Sequence, residues 1–303
     1  MHFARTEEQD ELAATVRALL TKRSDSAAVR AAIATDAGYD EALWSALCEQ
    51  VGVAALAVPE EYDGFGASLV ETAVVLEVLG EFLTPAPLLA SALLAAQTLL
   101  HGTDDEKSDL LPRLAAGEVL PFTLGDLVLE PSDRTDAMDQ TLRIGAAEQP
   151  AATPADVRAI AVALVTALQV GGMQRALDMT VGYTQERVQF GRQIGSFQAL
   201  KHRMADMLVK VEASRSASWG ATAAAAAYLA SPGPETLATV ERRSAAAGSY
   251  CSDAFDLVAA EMVQLHGGIA ITWEHDAHLV FKRAHALSQL NGPAHRLRAA
   301  LLG

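Results

Sequence analysis

Two cysteines, Cys48 and Cys251, stand far apart in 303 residues and outside any metal-ligand spacing, so they build neither a disulfide framework nor a zinc site. A reducing, cytoplasmic setting is expected. Cations are scarce as well: 23 Lys and Arg face 38 Asp and Glu, a net charge of -15, which argues against a surface that tracks nucleic-acid phosphates or anionic lipid. Small molecules or other proteins are the expected partners. Unbroken apolar stretches are short; Ala159 to Val170 and Ala221 to Ala230 are alanine-heavy or interrupted by polar residues, so no membrane span is expected. Glu7, Glu8, Asp10 and Glu11 stand where an export signal would need a basic and then an apolar stretch, and no such signal is read.

What the chain does have is apolar mass and helix formers. Hydrophobic residues make up 50% and charged residues 20%, too much burial capacity for a disordered chain. The length points to two or three packed units rather than one. Aromatics are only 5%, while Ala, Leu, Glu and Arg fill long windows, so a mainly α protein is predicted. Leu12, Val16, Leu19 and Leu20 recur at helical spacing behind Thr6, which can cap them. A second helix is read from about Tyr39 to Val51, then a loop through Pro59, Gly64 and Gly66. Ser68 with Glu71 has the capping-box spacing for a further helix.

From Gly117 to Pro154 the pattern breaks into short apolar stretches among Pro, Asp, Thr and Gly, room for brief strands only. Three long helices follow: Ala155–Glu186, almost without a polar face, then Ala199–Tyr228, then Glu235 to about Leu265 after the breaker Ser231-Pro-Gly-Pro234. Short connections suggest an antiparallel bundle, and a last helix follows Gly268. The expected organisation is a helical domain over 1–117, a reduced middle segment over 118–154 and a C-terminal helical bundle over 155–303.

Two constellations could carry chemistry. In Glu186-Arg-Val-Gln-Phe-Gly-Arg-Gln-Ile-Gly-Ser-Phe-Gln198 a long helix stops at Gly191, with cationic, aromatic and amide groups side by side. In Gln264-Leu-His-Gly-Gly268 a helix ends in paired glycines that let a ligand or backbone come close. His266, His275, His278 and His285 lie close in sequence but lack a ligand spacing and an acidic second shell, so no metal is expected. Trp273 and Phe281 read as packing residues, and Glu60, Glu61 and Asp63 as a solvated loop edge.

The stretch Tyr183 to Met207 resembles the C-terminal signature of acyl-CoA dehydrogenases. The run Gln264 to Ala284 resembles that family's second signature, and Pro59-Glu-Glu-Tyr-Asp-Gly-Phe-Gly-Ala-Ser68 its N-terminal loop. The resemblance implies a helical N-terminal domain, a middle β-domain and a C-terminal four-helix bundle that oligomerises and holds FAD. Here the middle is shortened: Asp126 to Pro154 is too brief for the family's barrel, and the flavin-ring motif is missing.

By the same resemblance Arg187, Phe197, Gln198, Gln264, Gly267 and Gly268 would hold the adenosine-diphosphate portion of a neighbouring subunit's FAD. A full-length acyl-CoA dehydrogenase paralogue in an α2β2 assembly is therefore the implied partner, with an acyl-CoA substrate and an electron-transfer acceptor. The implied reaction is α,β-desaturation of an acyl-CoA, and the likeness to shortened bacterial forms implies a steroid-derived CoA thioester. The family's acid after the last signature falls on Asn291, which is no base. Its other arrangement, about four helical turns before the paired glycines, falls on Asp253, with Asp256 and Glu261 as less favoured neighbours. The alternatives are a non-catalytic subunit that only completes the paralogue's FAD site, and a lone homodimer that handles acyl-CoA without redox chemistry.

Overall fold

Helix α7 (Ala155–Glu186) runs through the centre of the molecule, and buried residues line it on nearly every side, from Val157 through Thr184. A helix so uniformly apolar has no solvent face and must be enclosed by neighbours. In the computed structural model, which describes residues 5–129 and 137–302, those neighbours are α4 (Leu69–Phe82), α8 (Gln198–Ala230) and α9 (Pro234–His266). The ends of the expected domains, residues 1 and 303, and the 130–136 part of the middle segment lie outside the described residues. Glycines set the closeness of two of these crossings. A Cβ on Gly171 would sit 2.0 Å from the Glu77 carbonyl oxygen of α4, and one on Gly172 would sit 2.3 Å from the Phe255 ring of α9.

The N-terminal region contains α1 (Glu7–Arg23), α2 (Ser26–Ile33), α3 (Glu41–Val51), α4, α5 (Leu88–Leu99) and α6 (Asp104–Ala115). Thr6 caps α1 with a full capping box through Gln9. Ser68 caps α4 through the Val70 N–H, and its hydroxyl donates to Glu71, so the reciprocal bond expected from Glu71 to the cap backbone is not formed. Helices α2 and α6 escaped the periodicity reading; α6 carries its own capping box, Thr103 with Glu106. The first eight residues of α5, Leu88–Ala95, wind as a π-helix and are all buried. One continuous apolar core joins α1 and α4 to α7, α9 and α10 (Ala277–Leu290). Helix α11 (Ala294–Ala299) closes the chain against α9.

The middle segment forms one two-stranded antiparallel sheet, β1 (Phe122–Leu129) with β2 (Gly145–Ala151), irregular between Gly125 and Leu127. Its inner end is pinned by two arginines. Arg143, at φ 47°, donates to the carbonyls of Ile33, Thr35 and Asp36 at 3.0, 2.6 and 2.7 Å, over the bare Gly38. Arg283 of α10, 1% exposed, donates to Asp139 at 2.6 Å and to Thr141 at 2.5 Å. The small sheet is thus fastened to both helical regions.

Among the described residues two helices, α7 and the Pro234–Ile271 run, are long and apolar enough to cross a bilayer by length and composition. The expectation that such stretches are too short needs correction, because polar interruptions in the sequence do not break the helices. In α7 the apolar window is 94% buried by other helices, which accounts for its composition.

Candidate functional site

The C-terminal end of α7 and that of α9 come together. At the α7 end, Arg187 leaves the helix in extended conformation, its N–H still bonded to the Tyr183 carbonyl at 2.9 Å. Strands β3 (Val188–Gln189) and β4 (Arg192–Gln193) then form a tight hairpin whose two turn residues, Phe190 and Gly191, both have positive φ. The Ile194 N–H returns to the Arg187 carbonyl at 2.8 Å and closes it. Phe197 carries the Arg192 guanidinium at 4.0 Å over its ring and the Phe190 ring edge-on at 6.1 Å. Gln198 opens α8 and its amide meets His202 at 3.0 Å.

At the α9 end, Gln264 is exposed and Gly267 takes φ 67°, capping the helix with its N–H on Val263. A Cβ at Gly267 or Gly268 would meet nothing within 4 Å, so the backbone there faces open space. His266, 4% exposed, fixes the junction: its Nδ1 donates to the Met262 carbonyl at 2.8 Å and its ring stacks on Tyr183 at 4.5 Å. His275 packs against the same imidazole at 4.8 Å. Burial pushes both imidazoles below the ordinary histidine range. All six sequence-derived nucleotide residues therefore lie in two chain segments, the connection from α7 into α8 and the C-terminal end of α9, and Arg187, among the described residues, has no ion-pair partner. An exposed guanidinium, two amides, an aromatic face and uncovered glycine backbone suit the pyrophosphate and adenosine of FAD.

Sequence reasoning passed over Arg192 and Phe190 at this place, although the alternation of cation and aromatic in the hairpin signalled them. Phe190 is 93% exposed. Trp273 and Phe281, expected as packing residues, are instead about half exposed; Trp273 stacks on His278 at 5.0 Å beneath the Arg30 guanidinium at 5.0 Å. Among the described residues no three His, Cys, Asp or Glu side chains gather as metal donors. Glu60, Glu61 and Asp63 are exposed on their loop.

Asp253, expected to be the proton acceptor, lies on the outer face of α9. Its carboxylate is half exposed and held by Arg298 of α11 at 2.5 Å. A general base needs hydrogen-bond reach to a bound substrate, and Asp253 lines none of the cavities described here. Asp256 is half buried beside His285 and Ser288, its carboxyl pushed up by burial, and Glu261 pairs with Arg203 at 2.6 Å. Asn291 lies elsewhere, in a cleft of about 510 Å3 between β1 and the α10–α11 turn. A larger groove of about 680 Å3 runs between α1, α4, α7 and α8, but ion pairs occupy it: Arg5 with Glu77 at 2.6 Å and Arg17 with Glu81 at 2.8 Å. Burial raises the Glu81 carboxyl despite Arg17.

Residues 6–118 match the N-terminal domain of acyl-CoA dehydrogenases and residues 161–301 the C-terminal domain. The chain is 41% identical to acyl-CoA dehydrogenase IpdE2 of Mycolicibacterium smegmatis over 95% of this chain and 96% of that protein. It is 42% identical to IpdE2 of Mycobacterium tuberculosis over 94% and 93%. In fold it resembles the Tcur3481-Tcur3483 steroid ACAD G363A variant, at a TM-score of 0.80 and 23% identity over 97% of this chain and 96% of that one. It also resembles the ChsE4-ChsE5 complex from Mycobacterium tuberculosis, at 0.78 and 22% over 99% and 98%. With both terminal domains matched and relatives of this identity aligned nearly end to end, the chain belongs to the acyl-CoA dehydrogenase family.

Proposed function

We propose that this chain is one subunit of a heteromeric FAD-dependent acyl-CoA dehydrogenase, in which it lends the nucleotide grip and a full-length paralogue supplies the ring-binding domain and the proton acceptor. An α2β2 assembly in the cytosol and a steroid-derived CoA thioester as substrate complete the reading. The observation that carries it is the coexistence of an assembled α7–α9 junction with a middle segment whose described residues form only two strands. The fold likeness to a heteromeric complex and to a steroid acyl-CoA dehydrogenase supports the partner and the substrate class.

FAD, when bound, takes up the hydride released as the acyl-CoA is desaturated. This chain's part is to bind and orient. Arg187 would pair with a pyrophosphate oxygen, and Gly267 and Gly268 would admit that phosphate to the backbone without a side-chain clash. Phe197, stiffened by Arg192 and Phe190, offers a flat apolar face, and the Gln198 and Gln264 amides can serve the adenosine. Asp253, solvated and ion-paired, has no place in proton transfer under this reading.

The test is co-expression with a longer family member encoded beside it. Arg187→Ala should strip flavin from the purified complex, whereas Asp253→Asn should leave both flavin content and turnover near wild type. A yellow, active homo-oligomer formed by this chain alone would overturn the proposal. Loss of turnover with normal flavin in Asp253→Asn would restore that carboxylate as the base.

A further inference from the structure

We infer, on the nucleotide reading proposed above, that Asp276 is a positioning residue for the FAD grip: its carboxylate pins the loop that bears Gly267 and Gly268 to α2 and α7, and so sets where that glycine backbone stands relative to Arg187.

The loop from Gly267 to Asp276 has little apolar anchorage of its own. Ala270 is its one buried residue, while Ile269, Ile271 and Trp273 are exposed. Polar contacts must therefore hold it, and they converge at its far end. The Asp276 carboxylate, 12% exposed, accepts from the Ser26 hydroxyl at 2.6 Å and from the guanidiniums of Arg30 at 2.8 Å and Arg175 at 3.4 Å. Ser26 and Arg30 belong to α2, and Arg175 lies on α7 about two turns before Tyr183. One side chain thus joins three parts of the chain.

An Asp at the start of a helix ordinarily gives its carboxylate to the first free N–H groups. Asp276 precedes α10 but makes no such cap bond, so its side chain is committed to α2 and α7 instead. The commitment is mutual, because among the described residues Asp276 is the only carboxylate that either Arg30 or Arg175 pairs with. Burial by itself would raise the Asp276 carboxyl; the Ser26 and Arg30 hydrogen bonds and the two guanidinium charges outweigh it and hold the carboxyl below its usual value.

Two further contacts carry this anchorage to the grip. The Arg30 guanidinium also lies over the Trp273 ring at 5.0 Å, holding the loop at a second point. His275, the residue before Asp276, packs against His266 at 4.8 Å and edge-on to Tyr183 at 6.5 Å. His266 adjoins Gly267 and Tyr183 stands one turn before Arg187, so both halves of the grip rest on the same anchor.

The test is FAD titration of the complex with the longer family member, stripped of flavin beforehand. Asp276→Asn should weaken FAD binding by about tenfold or more, yet at saturating FAD its kcat should match wild type, a split that general damage to the fold would not give. Ser26→Ala, which strands no charge, should weaken binding about threefold. Hydrogen exchange in the Asp276→Asn complex should quicken over 267–274 and stay unchanged in α7. Unaltered FAD affinity in Asp276→Asn, or a kcat that stays low at saturation, would overturn the inference; should that variant not assemble, unaltered affinity in Ser26→Ala decides against it. Arg187→Ala in the same titration tells the two readings apart: if it too leaves FAD affinity intact, the nucleotide reading fails and the role of Asp276 with it, whereas a loss with Arg187→Ala alone sinks only the role of Asp276.

Discussion

The Tyr183 ring lies on the His266 imidazole at 4.5 Å and 25°, and this stack joins the two chain segments that bear every expected nucleotide residue. Tyr183 sits one turn before Arg187, and His266 directly before Gly267. The stack therefore sets how far the guanidinium stands from the bare glycine backbone. Tyr183→Leu keeps apolar bulk but removes the aromatic pairing, worth about 1 kcal/mol. The urea midpoint of the chain should fall by a corresponding amount, and flavin retention in the complex should fall with it. If neither moves, the stack does not govern the junction.

Gly171→Ala should be among the most damaging single substitutions in the helical core. Its new methyl would sit 2.0 Å from the Glu77 carbonyl oxygen, backbone that cannot rotate away. Overpacking of this kind costs about 3 kcal/mol. Thermal denaturation monitored by circular dichroism reads it directly, and a melt within a degree of wild type would show that α4 and α7 can separate freely.

Arg283→Met should loosen the middle segment from α10. Asp139 is 2% exposed, and removal of its guanidinium leaves a buried carboxylate without a cation. Breaking a buried pair from one side costs about 3–5 kcal/mol. Hydrogen exchange should show faster opening of β1 and β2 than of α7 in this variant. Uniform protection across all three would refute the anchoring role.

Acidification should destabilise the protein from about neutral downward. Burial lowers the imidazoles of His266, His275 and His278 from the ordinary value of 6.5. The unfolded chain thus takes up protons first, so stability is full above about pH 6.5 and is lost as pH falls toward the lower folded values. Glu81 and Asp256, raised by burial, act with the opposite sign, but from the carboxylate side of the titration. A melting temperature that drops between pH 7 and pH 5.5, with a shallower drop in His266→Gln, is expected. A flat profile over that range would exclude the histidine contribution.

Much of the helical plan was legible along the chain. The expected Ala155–Glu186 helix is α7 to the residue, and the breaker at Ser231-Pro-Gly-Pro234 separates α8 from α9 as read. Local rules suffice there, because cap residues, glycine and proline act within a few positions of themselves. Helix α2 was missed for the opposite reason: its eight residues are too few for a periodic signal. Asp253 was placed by counting back from a motif. Counting along a helix gives distance but not the direction of a side chain relative to elements that arrive later, here α11 with Arg298.

By itself the sequence determined the family, the helical class, the shortened middle and the residues that mark two helix ends, since these depend on residue type and near-neighbour spacing. Only the tertiary structure decided that those ends meet through Tyr183 and His266, that Asp253 faces an arginine and solvent, and that Asp276 draws Ser26, Arg30 and Arg175 together. Each of the last three is a relation between residues 45 or more positions apart, fixed by how buried helices cross and invisible to any local pattern.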